Sequence, residues 1–295
     1  MGKPDKFSRL LDVVVRFHDN GRFMELSRCL FSLICNEYRD IRIIICAQRF
    51  TMQQLNELRV NVERIIGANN NIEVVIANFD DSYQIDARSC LLNMGINSAI
   101  GRYIAFLDYD DVIYPGAYVD LINELRHSNS LIAFGRIAVK GVAAYEKLHI
   151  TLTKEFPFNG RNCIDLFKEN FCPIHSYVLD RAGIYDYDLR FEECLTRCED
   201  YDFLLRICSK YKSSFTLIDK IIGEYYYKND GSNTTLAANS SEENRLSWAI
   251  AREFLNSRRK LTGISIAVQD ELGICPQSPS LTIADFLKTL NKRQS

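Results

Sequence analysis

The sequence predicts an α/β protein: a mainly parallel sheet flanked by helices, with a small helical C-terminal extension. Two observations carry that expectation. Residues 12–17, 41–46, 72–77 and 103–107 are short, largely apolar runs, the pattern of strands covered on both faces. Between them, residues 22–36, 52–66 and 87–100 read as helices, the first two placing apolar side chains three and four apart. Strand, helix and strand in that order give parallel crossovers, and ligands of such sheets collect beyond the carboxyl ends of the strands.

Each element has its own signal. The first strand runs through Val13, Val14 and Val15 to Phe17, and the helix after it shows Phe23, Leu26, Leu30 and Leu33 on one stripe. The second helix is marked by Leu55, Leu58, Val62 and Ile65 and is stopped by a Gly/Asn turn cluster at 67–71. Pro115 opens another, with Tyr118, Leu121, Ile122 and Leu125 facing one way. The pattern then loosens into strands at 130–138, 174–179, 215–218 and 221–227 and helices at 161–170 and 199–211. A helix over 241–260 and a weakly patterned tail complete the chain.

With 295 residues, 47% hydrophobic and 25% charged, the chain can bury a large core. A formal net charge of −2 gives no electrostatic reason to expect a nucleic-acid partner. The first nine residues are polar and lead into a strand, unlike a secretory signal, and no run reaches the ~18 apolar residues of a membrane span. Ten cysteines without a CxxC pair then read as reduced thiols in the cytoplasm. Cys194 and Cys198 have no histidine close by in sequence, which argues against a metal site there.

Chemistry concentrates after the fourth strand, where Asp108, Asp110 and Asp111 fall at the ligand edge of the sheet. Residues two apart on an extended chain point the same way, so Asp108 and Asp110 can face one site. Hard carboxylate oxygens so placed suit Mg²⁺ or Mn²⁺, which keep open positions for phosphate oxygens. The plainer alternative is a solvated turn whose Asp111 caps the next helix.

The run 93–111, ending Phe106-Leu107-Asp108-Tyr109-Asp110-Asp111, resembles the heart of the family-2 inverting glycosyltransferases of GT-A (Rossmann-like) fold. So does the first strand ending Arg16-Phe17-His18-Asp19, and so does Glu199-Asp200-Tyr201-Asp202-Phe203-Leu204-Leu205-Arg206. The resemblance spans roughly residues 10–230, and the three motifs stand in the family's order. It implies a catalytic domain over 1–238, a helical extension over 239–295, and transfer of a sugar from a nucleotide diphosphate, with a UDP-sugar as the expected donor. Asp108 and Asp110 would form the DxD element, Asp110 as direct metal ligand and Asp108 supporting the metal or nucleotide. Asp200 would be the general base, with Glu199 orienting the site or the acceptor. The helix dipole at its N-terminus is expected to keep Asp200 ionised and somewhat less basic.

Two departures accompany the likeness. Cys46-Ala47-Gln48 stands where the family carries an Asp at the base or ribose, leaving Gln48 to bond a base edge. A family His near the metal or diphosphate is absent from the segment 227–233, where Asp230 or Lys228 could replace it or a plain loop could stand. Phe17 and His18 are expected at the nucleotide, Arg88 at the nucleotide or its phosphates, and His175 near the transferred sugar. For each of His18, Arg88 and His175 the alternative is ordinary packing or solvation. The helix 241–260 carries Trp248, Ala251, Phe254 and Leu255 beside Arg252, Arg258, Arg259 and Lys260. It would pack on its own domain, or lie on the inner membrane face near a glycan or lipid-linked glycan acceptor.

Three rivals define the tests. A nucleotidyltransferase would need a phosphate loop that residues 16–21 lack. A glycosidase uses two carboxylates without a nucleotide. An inactive scaffold subunit is suggested by Ala47 and the missing His and opposed by Asp108, Asp110, Glu199 and Asp200.

Overall fold

A computed structural model of the chain describes residues 6–67, 72–84, 86–145, 148–228 and 242–294. The apolar runs become β1 (Leu11–Phe17), β2 (Ile41–Gln48), β3 (Glu73–Phe79) and β4 (Tyr103–Asp108), joined by α1 (Phe23–Ile34), α2 (Met52–Ile66) and α3 (Arg88–Ser98). They pair in parallel in the order β3-β2-β1-β4. Local chemistry sets the boundaries. Thr51 and Gln54 form a reciprocal capping box at the start of α2, and Gly67, with φ of 73°, ends it.

The chain continues through β5 (Val112–Ile113), α4 (Ala117–Ser128), β6 (Ile132–Tyr145), β7 (Leu148–Glu155), α5 (Cys163–Lys168), β8 (Tyr177–Asp180), α6 (Glu199–Lys210) and β9 (Ser213–Lys228). β8 lies antiparallel between β4 and β6, β9 runs parallel to β6, and β5 and β7 add antiparallel to β9 and β6. The sheet thus reads β3-β2-β1-β4-β8-β6-β9-β5, with β7 off that path. The strands expected at 215–218 and 221–227 are one continuous strand, and the strand expected at 130–138 extends to Tyr145. β7 gives little apolar signal toward a core because its Leu148, Ile150 and Leu152 face solvent.

Alternation along the strands divides the core. Val14, Ile104 and Phe106 face α3 and α6, whereas Val13, Val15, Phe17 and Leu107 face α1 and α4. Two glycines permit close layers: a Cβ at Gly95 would stand 2.2 Å from Val14 Cγ1, and one at Gly101 2.5 Å from the Leu10 carbonyl oxygen. Asp12, fully buried, is satisfied by Arg42 Nε at 2.6 Å and by the Ile100 and Gly101 N–H groups at 2.7 and 2.6 Å. That carboxylate pins the turn entering β4, the strand that delivers Asp108.

The tail expected to be weakly patterned folds as α8 (Ile266–Glu271) and α9 (Ile283–Gln294) after α7 (Glu242–Leu261). Leu255, Ile264, Val268, Ile283 and Phe286 join the core cluster that contains Phe106 and Phe203. Arg258 donates to Asp202 at 2.5 Å, and Arg259 to the Phe167 carbonyl at 2.9 Å and the Tyr201 hydroxyl at 2.8 Å. Two of the basic residues considered for a membrane surface are therefore turned onto the protein itself, Arg258 as a cationic partner of buried Asp202 and Arg259 as a donor to carbonyl and hydroxyl oxygens. Among the described residues no helix is long and apolar enough to cross a membrane.

Candidate active site

The site begins with register. Arg16 at the end of β1 lies opposite Asp108 at the end of β4, and both continue the face of Val14 and Phe106. Arg16 forks onto Asp108, Nε to Oδ1 at 2.7 Å and Nη2 to Oδ2 at 2.8 Å. Its third nitrogen, Nη1, reaches Glu199 Oε1 at 2.9 Å. One guanidinium thus ties the ligand edge of the sheet to the first turn of α6. Burial opposes ionisation of Asp108, but Arg16 outweighs it and holds the carboxyl below its ordinary range.

Alternation also decides what Phe17 does. Its side chain points to the opposite face, fully buried, with ring centroids 5.3 Å from both Phe50 and Tyr109. It backs the site instead of lining it, which corrects the expectation that it touches the nucleotide. His18 follows at the rim, 5.3 Å edge-on to Tyr109.

After β4 the chain turns, with Asp111 N–H on the Asp108 carbonyl at 3.1 Å and Arg28 of α1 on the Asp110 carbonyl at 2.6 Å. Asp111 points inward and accepts the Tyr226 N–H at 2.9 Å, tying β9 to the turn. Burial, then the charges of Asp110 and Asp108, push its pKa well up. His175 Nδ1 stands 3.5 Å from Asp111 Oδ2, and burial lowers this imidazole to about 4. Both shifts favour the uncharged form of the group, and both follow from burial. Lys228, at the end of β9, lays its ammonium on Asp110 Oδ2.

The second carboxylate group arrives with α6. Cys198 before it adopts a left-handed φ of 59°, strained backbone of the kind that accumulates at functional sites. Upstream, Asn93 of α3 grips the Phe191 backbone from both sides, at 3.0 and 2.8 Å, fixing the approach of this segment. Asp200 Oδ1 accepts its neighbour's Tyr201 N–H at 2.7 Å, and Oδ2 accepts from Asn170 at 3.3 Å. Burial and then the adjacent Glu199 push Asp200 up to about 6. The expected lowering of its basicity by the helix dipole is overcome, since desolvation and a like charge both favour the protonated form.

Two cavities meet at this network. One, of about 580 Å³, is lined by His18, Gln48, Asp86, Arg88, Asp108, Asp110 and Lys228 among others. The other, of about 730 Å³, contains Glu199, Asp200, Asn170, His175, Phe158, Tyr227 and Trp248. Arg16, Arg88, Asp108 and Tyr225 line both.

Residues 90–186 match the family described as Glycosyl transferase family 2. An uncharacterized glycosyltransferase of Rickettsia typhi is 22% identical over 270 residues, 84% of this chain and 73% of that protein. Over residues 90–186, a third of the chain, the sequence is similar to family-2 glycosyltransferases. Its fold is similar to that of S. aureus TarS 1–349 in complex with UDP, with a TM-score of 0.57 at 16% identity over 89% of this chain and 69% of that one. With TarS 1–349 in complex with UDP-GlcNAc the TM-score is 0.61 at 15% identity, over 89% and 70%.

In this chain, His18, Gln48, Arg88, Asp108 and Asp110 come together around one cavity, and Glu199, Asp200 and His175 around the other. Arg88 is oriented by Asp86, which accepts its Nε at 2.9 Å, and it approaches Glu199 Oε2 at 4.0 Å. Arg16, Asp86, Asn170 and the cavity-facing position of Trp248 were not assigned from sequence. Arg16 had a legible signal, a cation ending an otherwise apolar strand at the ligand edge. Asp230 lies outside the described residues, while Lys228 lies within them.

A divalent cation does not suit the donor set as it stands. Both oxygens of Asp108 are taken by Arg16, and Asp110 carries the Lys228 ammonium. Among the described residues no three His, Cys, Asp or Glu side chains converge as a metal cluster, Cys194 and Cys198 included. Mg²⁺ can manage with one or two carboxylates, but here each is already matched by a protein cation. A metal would have to displace Arg16 or Lys228 to reach either carboxylate.

Proposed function

We propose that the protein is an inverting glycosyltransferase that moves a sugar from a UDP-sugar to an acceptor hydroxyl of a glycan or lipid-linked glycan in surface-glycan biosynthesis. The observation that carries this reading is Asp200, raised to about 6, in a cavity that shares Arg16, Arg88 and Asp108 with a second, cation-lined cavity. A base of that pKa is ionised at neutral pH yet basic enough to take a hydroxyl proton. The acceptor oxygen bonds to the anomeric carbon as the carbon–oxygen bond to the diphosphate breaks. The proton passes to Asp200, and the electron pair leaves with the nucleoside diphosphate. Arg16 and Arg88 stand where that negative charge grows.

The sequence's expectation of Mg²⁺ or Mn²⁺ at Asp108 and Asp110 is the part of the family pattern these donors accommodate least, and no step above passes through a metal. Residues 1–238 would supply the donor chemistry, while the 239–295 extension adds Trp248 to the acceptor side. Contact with a membrane surface would rest on Arg252 and Lys260 with exposed Leu246, Ile250 and Leu261, given the internal partners of Arg258 and Arg259. Hydrolysis of a nucleotide-sugar panel tests the proposal, with UDP-GlcNAc first because TarS was crystallised with it. UDP-sugars are expected to be cleaved in preference to GDP- and dTDP-sugars. Failure to bind or cleave any nucleotide sugar would overturn it.

A further inference from the structure

Lys228 is an unusual residue to bury, and it ends β9 beside the turn that follows β4. β5 and β9 pair antiparallel with Val112 opposite Glu224, which brings that turn alongside the end of β9. The Tyr226 N–H donates to the Asp111 side chain, a further tie between turn and strand. The Lys228 side chain is only 2% exposed, with its ammonium on Asp110 and 6.0 Å from the Tyr109 ring centroid. Desolvated charges act strongly at short range, because little water screens them. Lys228 also lines the same cavity as Arg16, Arg88, Asp108 and Asp110. The ammonium therefore lies on the carboxylate that the DxD pattern would give to a divalent cation.

We propose that the Lys228 ammonium, backed by the Arg16 guanidinium, neutralises the departing diphosphate in place of a divalent metal, so that donor binding and transfer are metal-independent. The inference rests on the donor-site reading above. In it, Asp110 positions the ammonium, and Asp108 positions Arg16. Phosphate oxygens accept from an ammonium as they would bind a cation, and a lysine serves as a point charge for them. No bond is made or broken at Lys228, which carries charge only.

The test is UDP binding by calorimetry and donor turnover, each with EDTA and with millimolar Mn²⁺. Wild-type affinity and turnover are expected to agree within about twofold between the two conditions. Lys228→Met in EDTA is expected to bind UDP about tenfold more weakly, with Lys228→Arg much closer to wild type. Removing the ammonium also uncovers Asp110, so Mn²⁺ should restore part of the affinity of Lys228→Met, a response that a purely structural lysine would not produce. Tightening of wild-type UDP binding by about tenfold on adding Mn²⁺, reversed by EDTA, would overturn the inference. If Lys228→Met does not fold, that wild-type comparison and the arginine variant still decide. Absence of UDP binding in both conditions would instead remove the donor reading itself.

Discussion

The two cavities share a wall but are assembled in different ways. On the proposed donor side, Arg16, Gln48 and Asp108 lie at the ends of three neighbouring parallel strands, and backbone pairing sets their spacing. On the proposed acceptor side, Asp200, Asn170, His175, Tyr227 and Trp248 come from four separate segments brought together by packing and side-chain bonds. Donor geometry is thus tied to the sheet, and acceptor geometry to loops and the C-terminal helices. A nucleotide diphosphate needs a fixed cationic frame, whereas acceptors differ, so the second wall is the one free to change without disturbing the first.

The sharpest break in that comparison should come from Asp200. Asp200→Asn is expected to cut transfer by at least ~100-fold while UDP affinity stays near wild type, because the base acts only on the acceptor side. The wild-type rate should rise with pH through about 6 as the carboxylate forms, and that limb should vanish in the variant. Near-normal transfer by the folded variant would move the role to Glu199.

Arg16 belongs to both walls, and its loss should not respect the division. Arg16→Gln leaves Asp108 and Glu199 without their shared cation. Stability should fall by about 3 kcal/mol, the low end for a broken buried pair, since Asp108 keeps 24% side-chain exposure. UDP affinity and turnover should both drop, by about tenfold each, for one lost charge-assisted contact. A variant that damages only one of the two would show the cavities to be uncoupled.

The gentlest perturbation is Asn170→Ala. Its hydrogen bond favours the ionised form of Asp200, so its removal should move the pH midpoint of transfer upward from about 6. The rate at that pH should fall by roughly twofold, with little change well above it. A downward shift would reverse the assigned sign.

Sequence patterning carried the parallel half of the fold almost residue for residue, since strands buried on both faces and amphipathic helices are local signals. The helix over 52–66 needs nothing beyond its stripe, its Thr51 and Gln54 cap and its Gly67 stop. Motif order likewise singled out Asp108 and Glu199, which the fold joins through Arg16. The antiparallel half was harder, because β7 turns its apolar residues to solvent and β9 runs straight through the break expected near residue 220. α9 packs Ile283, Phe286, Leu287 and Leu290 on one helical stripe, a local signal that the expectation of a weakly patterned tail overlooked. The six residues of α8 bury only Val268 and Gln269 and are too short to show a period.

What the sequence determined by itself was the set of chemical groups and the sheet that orders them. Only the tertiary structure decided their charge states and partners. The dipole argument alone would lower Asp200, but burial beside Glu199 raises it. The DxD spacing alone invites a metal, but Arg16 is separated from Asp108 by 92 positions and Lys228 from Asp110 by 118, and both salt bridges form only when the sheet closes. Desolvation and long-range pairing depend on what surrounds a group in space, and neither is written in the residues next to it in the chain.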